Sequence, residues 1–359
     1  MRIAILGTRG VPPNYGGFET FAAELGTRLV QRGHDVTVYC REDGPSDWNG
    51  IHRIILPAVG HKYFETVSHT FVSAVDALKR DFDAVLLCNA ANAFVLPLLR
   101  AARIPVAINV DGIERKRRKW NVLGRAVYAI GETLSVSFAS AVIADAHVIA
   151  GYYRAQYGIE AVMIPYGADF PIEEDSDVLQ RLGVEPRNYL LYVSRFEPEN
   201  NPLEVVEAYE KLDDAPPLLM IGKGLYASDL VRRLESHASG KIRFPGAIYG
   251  RDYRTLQRNA LLYIQATEVG GTHPAMIEAM ASGGSVLAHD TPENREVGGD
   301  AVGYFRLREG ETLSGMLREW LSNPLIREDF RARARRRGNE LYSWENVTDE
   351  YESLLRKLL

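Results

Sequence analysis

The stretch RIAILGTRGVPPNYGGFETFAAELGTRLVQRGHDVTVYC, residues 2–40, decides the fold. Residues 2–7 are a short apolar run closed by a glycine and read as a buried strand. Across 17–32, Phe18, Phe21, Ala22, Leu25, Leu29 and Val30 fall close to one helical stripe. Gly33 stops that helix, and DVTVYC (35–40) is the next strand. Strand, helix and strand in that order make a crossover unit of a parallel sheet.

The pattern continues outward. AVLLCN (84–89), PVAINV (105–110), SAVIADA (140–146) and AVMIPYG (161–167) are strand-like, with helical segments among them. After the acidic, polar PIEEDSDV (171–178), read as a crossing, it restarts with YLLYVSR (189–195), PLLMIGKG (217–224), KIRFPG (241–246), LLYIQA (261–266) and SVLAHD (285–290). Runs this continuously apolar suit strands buried on both faces. The expected fold is α/β: two doubly wound parallel-sheet domains, 1–168 and 169–342, facing across a cleft. A last amphipathic helix, 343–359, is expected to pack back on the first. Ligands of such sheets lie outside the carboxyl ends of the strands, so the chemistry is sought in loops that follow strands.

Composition narrows the function. The chain has 359 residues, 46% apolar and 25% charged, enough for two ordinary soluble domains. A net charge of −5 argues against nucleic-acid binding by global charge. Two local basic runs stand out, ERKRRKW (114–120) and RARARRR (331–337). Cys40 and Cys88 each end an apolar run and read as small buried residues. No zinc spacing or acidic metal motif is evident, and no metal is expected. The opening apolar run is too short for a signal peptide, and no run nears the roughly 20 residues that span a bilayer. A cytoplasmic protein, free or peripheral at the inner face of the cell membrane, is expected.

Five loops carry chemical content. GTRGVPPNYGGFET (7–20) lacks the G-x-G-x-x-G of dinucleotide binders but closes on Gly16 and Gly17 before a helix. Amides there suit a phosphate or a sugar hydroxyl; the same glycines also suit the turns of a surface loop. NVDGIERKRRKW (109–120) sets Asp111 at a strand end, and a turn aspartate before glycine is its plainer reading. The basic run with aromatic and apolar residues behind it, 115–128, suits an anionic membrane surface, or simply a solvated face. SRFEPENNP (194–202) sets Arg195 after a strand, where a guanidinium grips a diphosphate through paired hydrogen bonds. A salt bridge to Glu197 or Glu199 is the alternative. MIGKGLY (220–226) offers close backbone approach and one cation, Lys223.

The fifth loop is ATEVGGTHPAMIEAMAS (266–282). Thr272 or His273 is expected to cap a helix with Pro274 in its first turn. Amides and dipole at that start attract a phosphate, and Gly270 and Gly271 allow close approach. Glu278 lies four residues past Pro274, about 6 Å along the axis. That is near the span from a diphosphate to the pentose of the same nucleotide, whose hydroxyls a carboxylate accepts. An ordinary solvated glutamate in the first turns is the bland reading.

Together these segments resemble a GT-B glycosyltransferase of the large retaining family 4 type. A closer resemblance is to the bacterial rhamnosyltransferase-like subgroup of capsule and exopolysaccharide pathways. GTRGVPPNYGGFET and VGGTHPAMIEAM carry it most specifically; VDGIERKRRKW, SRFEPENN and DTPENREV support it. The resemblance implies a nucleotide-sugar donor bound by the second domain and no further cofactor. Glu278 matches the second acid of an E-x7-E motif holding the donor ribose, and Arg195 the diphosphate-binding arginine. Gly16 and Gly17 match the glycine loop near diphosphate and acceptor. Asp111 stands where many relatives have a histidine facing the donor sugar. The chain departs at Gly270, where the first acid is expected with Glu268 two residues early, and at Asn200, where a lysine is expected. The implied reaction moves a hexose or deoxyhexose, with retention, to a saccharide acceptor on a polyprenyl diphosphate. Two rival readings are a nicotinamide-dependent oxidoreductase and a non-catalytic partner in a polysaccharide assembly complex.

Overall fold

A computed structural model describes residues 1–13, 16–60, 65–118, 120–169, 176–224, 228–308, 310 and 312–359. Asn14, Tyr15, Lys119, most of the expected crossing at 171–178 and the end of MIGKGLY lie outside the described residues. The chain divides into two compact units. The first comprises Met1–Lys116, Trp120–Gly167 and Trp344–Leu359; the second comprises Arg117–Lys119 and Ala168–Ser343.

In the first unit the strands are β1 (Arg2–Leu6), β2 (Asp35–Cys40), β3 (Asp47–Trp48), β4 (Ile51–Ile55), β5 (Ala84–Cys88), β6 (Val106–Asn109), β7 (Ala141–Ala144) and β8 (Val162–Met163). Its helices before the crossing are α1 (Gly17–Gln31), α2 (Glu65–Ala77), α3 (Leu96–Ala101), α4 (Val122–Phe138) and α5 (His147–Tyr157). The sheet order is β3-β4-β2-β1-β5-β6-β7-β8, parallel except for β3 on β4. Ile3 to Leu6 and Ala84 to Cys88 are wholly buried, as a sheet covered on both faces requires. Each leucine or isoleucine so buried contributes about 1.5–3 kcal/mol.

The β3–β4 hairpin escapes a search for apolar runs because His52 and Arg53 interrupt β4. Arg53 is nevertheless buried, its guanidinium donating to the carbonyls of Pro45 and Glu42 at 2.6 and 3.0 Å. The strand read at 161–167 shrinks to two residues in β8.

In the second unit the helices are α6 (Val178–Leu182), α7 (Pro202–Tyr209), α8 (Ser228–Glu235), α9 (Gly250–Asn259), α10 (Pro274–Ala281), α11 (Pro292–Gly298), α12 (Leu313–Ser322) and α13 (Pro324–Leu341). The strands are β9 (Leu190–Val193), β10 (Leu218–Ile221), β11 (Ile242–Gly246), β12 (Leu262–Gln265), β13 (Val286–His289) and β14 (Gly303–Phe305). They form one parallel sheet, β11-β10-β9-β12-β13-β14. The arginine-rich run 331–337 lies on α13 and is largely structural. Arg331, Arg333 and Arg337 donate to the carbonyls of Gly283, Asp300 and Val297, closing loop ends of this unit.

The last helix, α14 (Trp344–Lys357), belongs to the first unit and packs on α1. Phe21 meets Tyr351 with ring centroids 5.1 Å apart, and Tyr166 meets Trp344 at 4.9 Å. Arg28 and Arg32 pair with Glu345, and His34 bonds Glu352 at 3.0 Å. The buried Tyr351 hydroxyl accepts from Asn109 at the end of β6.

Candidate functional site

Strand order reverses direction between β9 and β12, so the loops after these strands diverge at the edge of the sheet where doubly wound folds bind ligands. Arg195 follows β9 by two residues, 41% exposed, with Nη1 3.7 Å from Glu197. Its loop is braced from within. Asn200, where a lysine was expected, turns its amide back to donate to the Arg195 carbonyl at 2.7 Å. Tyr192 in turn donates to the Asn200 carbonyl at 2.8 Å. Lys223 follows β10, is exposed, and accepts the Phe196 N–H on its carbonyl.

The loop after β12 is tied to the one after β9. Asn201 donates to the Ala266 carbonyl at 2.8 Å, and the Glu268 N–H reaches the Glu199 carbonyl at 2.9 Å. Arg118 adds a clamp, donating to Glu268 Oε2 at 2.9 Å, to the Pro198 carbonyl at 3.0 Å and to Asn201 Oδ1 at 3.2 Å. Arg117 is buried, 3.9 Å from Glu197 and 3.7 Å from Glu199, whose carboxylate is wholly buried with no hydrogen bond among the described residues. Arg195 and Arg117 therefore flank one carboxylate, Glu197. The basic run is thus split: Arg117 is buried against carboxylates, and Arg118, still exposed, pairs with Glu268.

His273 is the N-cap residue of α10 and Pro274 its first residue, and the His273 side chain makes no cap hydrogen bond. The imidazole lies over Gly270, where a Cβ would come within 2.4 Å of Cε1. Any side chain at 270, an acid included, must displace that ring. The His273 Nε2 is buried without a partner among the described residues, and burial, with Arg117 beside it, holds its pKa down at about 3. The ring is neutral at ordinary pH. Deeper in α10, Glu278 accepts a 2.5 Å hydrogen bond on Oε2 from the Tyr253 hydroxyl of α9. Burial first, then the Glu278 charge, holds the Tyr253 phenol far above its usual pKa, so it remains a donor. Gln257, one turn along α9, donates to the Tyr253 oxygen at 2.8 Å.

In the first unit the order reverses between β1 and β5. Gly7 closes β1 at φ 90°, where a Cβ would lie 2.4 Å from the Cys88 carbonyl oxygen. Gly16 is the N-cap of α1 and Gly17 its first residue. Glu19, in that first turn, is buried and accepts the Arg9 N–H at 2.8 Å; burial raises its pKa. Asp111 follows β6 in a left-handed conformation, φ 58°, its N–H bonded to Asn109 Oδ1 at 2.9 Å. Thus Gly16, Gly17 and Asp111 belong to the first unit. Arg195, Lys223, Gly270, Gly271, Thr272, His273, Pro274 and Glu278 belong to the second.

Tyr253 and Gln257 escaped the sequence reading, while Arg117 and Arg118 were read only as part of a basic run and Glu199 only as a partner for Arg195. Tyr253 and Gln257 share a face of α9 by their spacing, but nothing local says that this face meets α10.

Comparison with known proteins agrees with this architecture. Residues 15–170 match the Glycosyltransferase Family 4 model, and residues 176–337 match Glycosyl transferases group 1. The chain carries both domains of a GT-B glycosyltransferase. No curated protein matches this glycosyltransferase by sequence. Solved structures share its fold at low identity. Sucrose-phosphate synthase from Thermosynechococcus elongatus aligns with a TM-score of 0.83 at 20% identity, covering 99% of this chain and 98% of that one. HepE of Anabaena, solved with UDP-glucose, aligns at 0.83 and 16% identity, covering 99% and 100%. WaaG, a glycosyltransferase involved in lipopolysaccharide biosynthesis, aligns at 0.73 and 16%, covering 97% and 98%.

Proposed function

We propose that this glycosyltransferase takes its sugar from a nucleoside diphosphate donor held in the second unit, at the diverging loops of β9 and β12. What supports the reading is that the loop carrying Arg195 is tied by hydrogen bonds to the loop that leads into α10, and that a carboxylate one turn into α10 is held in place. In this reading Arg195 and the start of α10 take the diphosphate, and Glu278 takes the pentose hydroxyls. Gly270 and Gly271 allow the phosphate to approach the main chain. Lys223 adds charge, and Gly16, Gly17 and Asp111 serve the sugar and acceptor from the first unit.

The bond from the anomeric carbon to the diphosphate oxygen breaks, and its electron pair leaves with the diphosphate. Preorganised donors at Arg195 and the helix start stabilise that growing charge, so no metal is invoked. The acceptor hydroxyl oxygen bonds to the anomeric carbon with retention, and the departing phosphate accepts its proton. Glycosyl transfer shares an oxocarbenium-like centre with glycoside hydrolysis.

The acceptor in this proposal is a saccharide on a polyprenyl diphosphate, and the sugar a hexose or deoxyhexose such as rhamnose. Support for work at a cytoplasmic membrane face comes from α4. Val122, Leu123, Val127 and Ile130 are exposed on it beside Arg125. Apolar side chains rimmed by cations suit an anionic lipid surface. A titration of UDP, dTDP and GDP against wild type, Arg195→Met and Glu278→Gln tests the donor site. One nucleotide is expected to bind wild type and to lose affinity in both variants; equal binding to all three proteins refutes the reading.

A further inference from the structure

We propose that Tyr253 is a positioning residue for the nucleotide, setting the orientation in which Glu278 meets the pentose; this rests on the reading of Glu278 as the pentose ligand. The order of donors in the relay carries the inference. Gln257 is buried, and its amide nitrogen donates both to the Tyr253 oxygen at 2.8 Å and to the Ala275 carbonyl at 3.3 Å. With its oxygen accepting from Gln257, the Tyr253 hydroxyl directs its one proton to Glu278 Oε2 at 2.5 Å.

A glutamate near the start of a helix ordinarily samples several rotamers, and ordering it costs binding energy. Here that ordering is built in before any ligand arrives. The second bond from Gln257, to the carbonyl of Ala275, fixes α9 to the first turn of α10. The same side chain thereby sets both the helix start and the orientation of the carboxylate one turn on. Tyr253 and Gln257 stand at i and i+4 on α9, so one helical face supplies the whole relay. The bond to an ionised acceptor is of the stronger kind.

The test is a binding cycle that pairs a change in the protein with a change in the ligand, using UDP and 2′,3′-dideoxy-UDP by calorimetry. Wild type, Tyr253→Phe, Gln257→Leu and Glu278→Gln are compared. Tyr253→Phe is expected to weaken UDP about tenfold, the size of one charge-assisted hydrogen bond. It is expected to leave 2′,3′-dideoxy-UDP within about twofold of wild type, because that ligand lacks both hydroxyls for the carboxylate to grip. Gln257→Leu is expected to follow the same pattern with a smaller loss. Unchanged UDP affinity in Tyr253→Phe, or equal weakening of both ligands, overturns the proposal; equal weakening is what misfolding alone produces. If Tyr253→Phe binds UDP as wild type does but Glu278→Gln does not, the relay falls while the donor site stands. If Glu278→Gln also binds UDP as wild type does, both fall.

Discussion

Two loops in this chain look alike and are built differently. GGFE at 16–19 and GGTHPAMIE at 270–278 each place a glycine pair before a helix and an acid within its first turns. In the first, Glu19 folds back onto the Arg9 N–H of its own loop and is buried. In the second, Glu278 stays part-exposed and is held by a side chain from a neighbouring helix. The first acid closes a loop; the second is presented. An acid at a helix start thus says little until its partner is known. A main-chain partner within the same loop marks a structural acid, and a side-chain relay from another element marks one kept in readiness.

The largest effect that sharpens this contrast is on Glu278. Glu278→Gln, which still offers Tyr253 an acceptor, is expected to weaken nucleoside diphosphate binding about tenfold or more, as for lost hydrogen bonds to a charged group, with little change in melting temperature. Glu19→Ala is expected to do the reverse. Leaving the Arg9 N–H without its acceptor costs about 2 kcal/mol by denaturant unfolding, with nucleotide affinity unchanged. If the two variants behave alike, the contrast is wrong. Gly270→Ala comes next: a methyl 2.4 Å from His273 Cε1 is expected to cost about 1–2 kcal/mol and to weaken nucleotide binding by moving the N-cap.

A pH effect is expected in each unit. His273 in the second unit is held at about 3, and His69 in the first at about 4, each chiefly by burial. Both values lie below the ordinary 6.5, so the unfolded chain binds protons first as pH falls. Stability is then expected to be full above 6.5 and to fall between 6.5 and about 3, by up to about 1.4 kcal/mol per pH unit for each ring. Melting curves of His69→Asn and His273→Asn across that window should each be flatter than wild type. Smallest is the α4 surface: Val122→Asp with Leu123→Asp is expected to reduce sedimentation with anionic vesicles severalfold while leaving nucleotide binding intact.

The fold was legible because nearly every central strand is an unbroken apolar run bounded by glycine or a polar turn. β4 was not, because His52 and Arg53 break its apolar run, and Arg53 is buried only by donating to the carbonyls of Pro45 and Glu42 in the preceding loop. The candidate donor loops were legible from glycines, proline and the acid of α10. The basic run 114–120 misled, since Arg117 and Arg118 meet carboxylates about 80 to 150 residues away, and charge patterning is blind to such pairing. Tyr253 stayed hidden for the same reason: its role is set by helix packing, which no local pattern records.

The account stands or falls on where a nucleotide sits. A crystal structure with UDP bound should show the diphosphate against the start of α10, within hydrogen-bonding reach of Arg195, and the pentose on Glu278. A diphosphate lodged elsewhere, with Glu278 bonded only to Tyr253 and water, would contradict it.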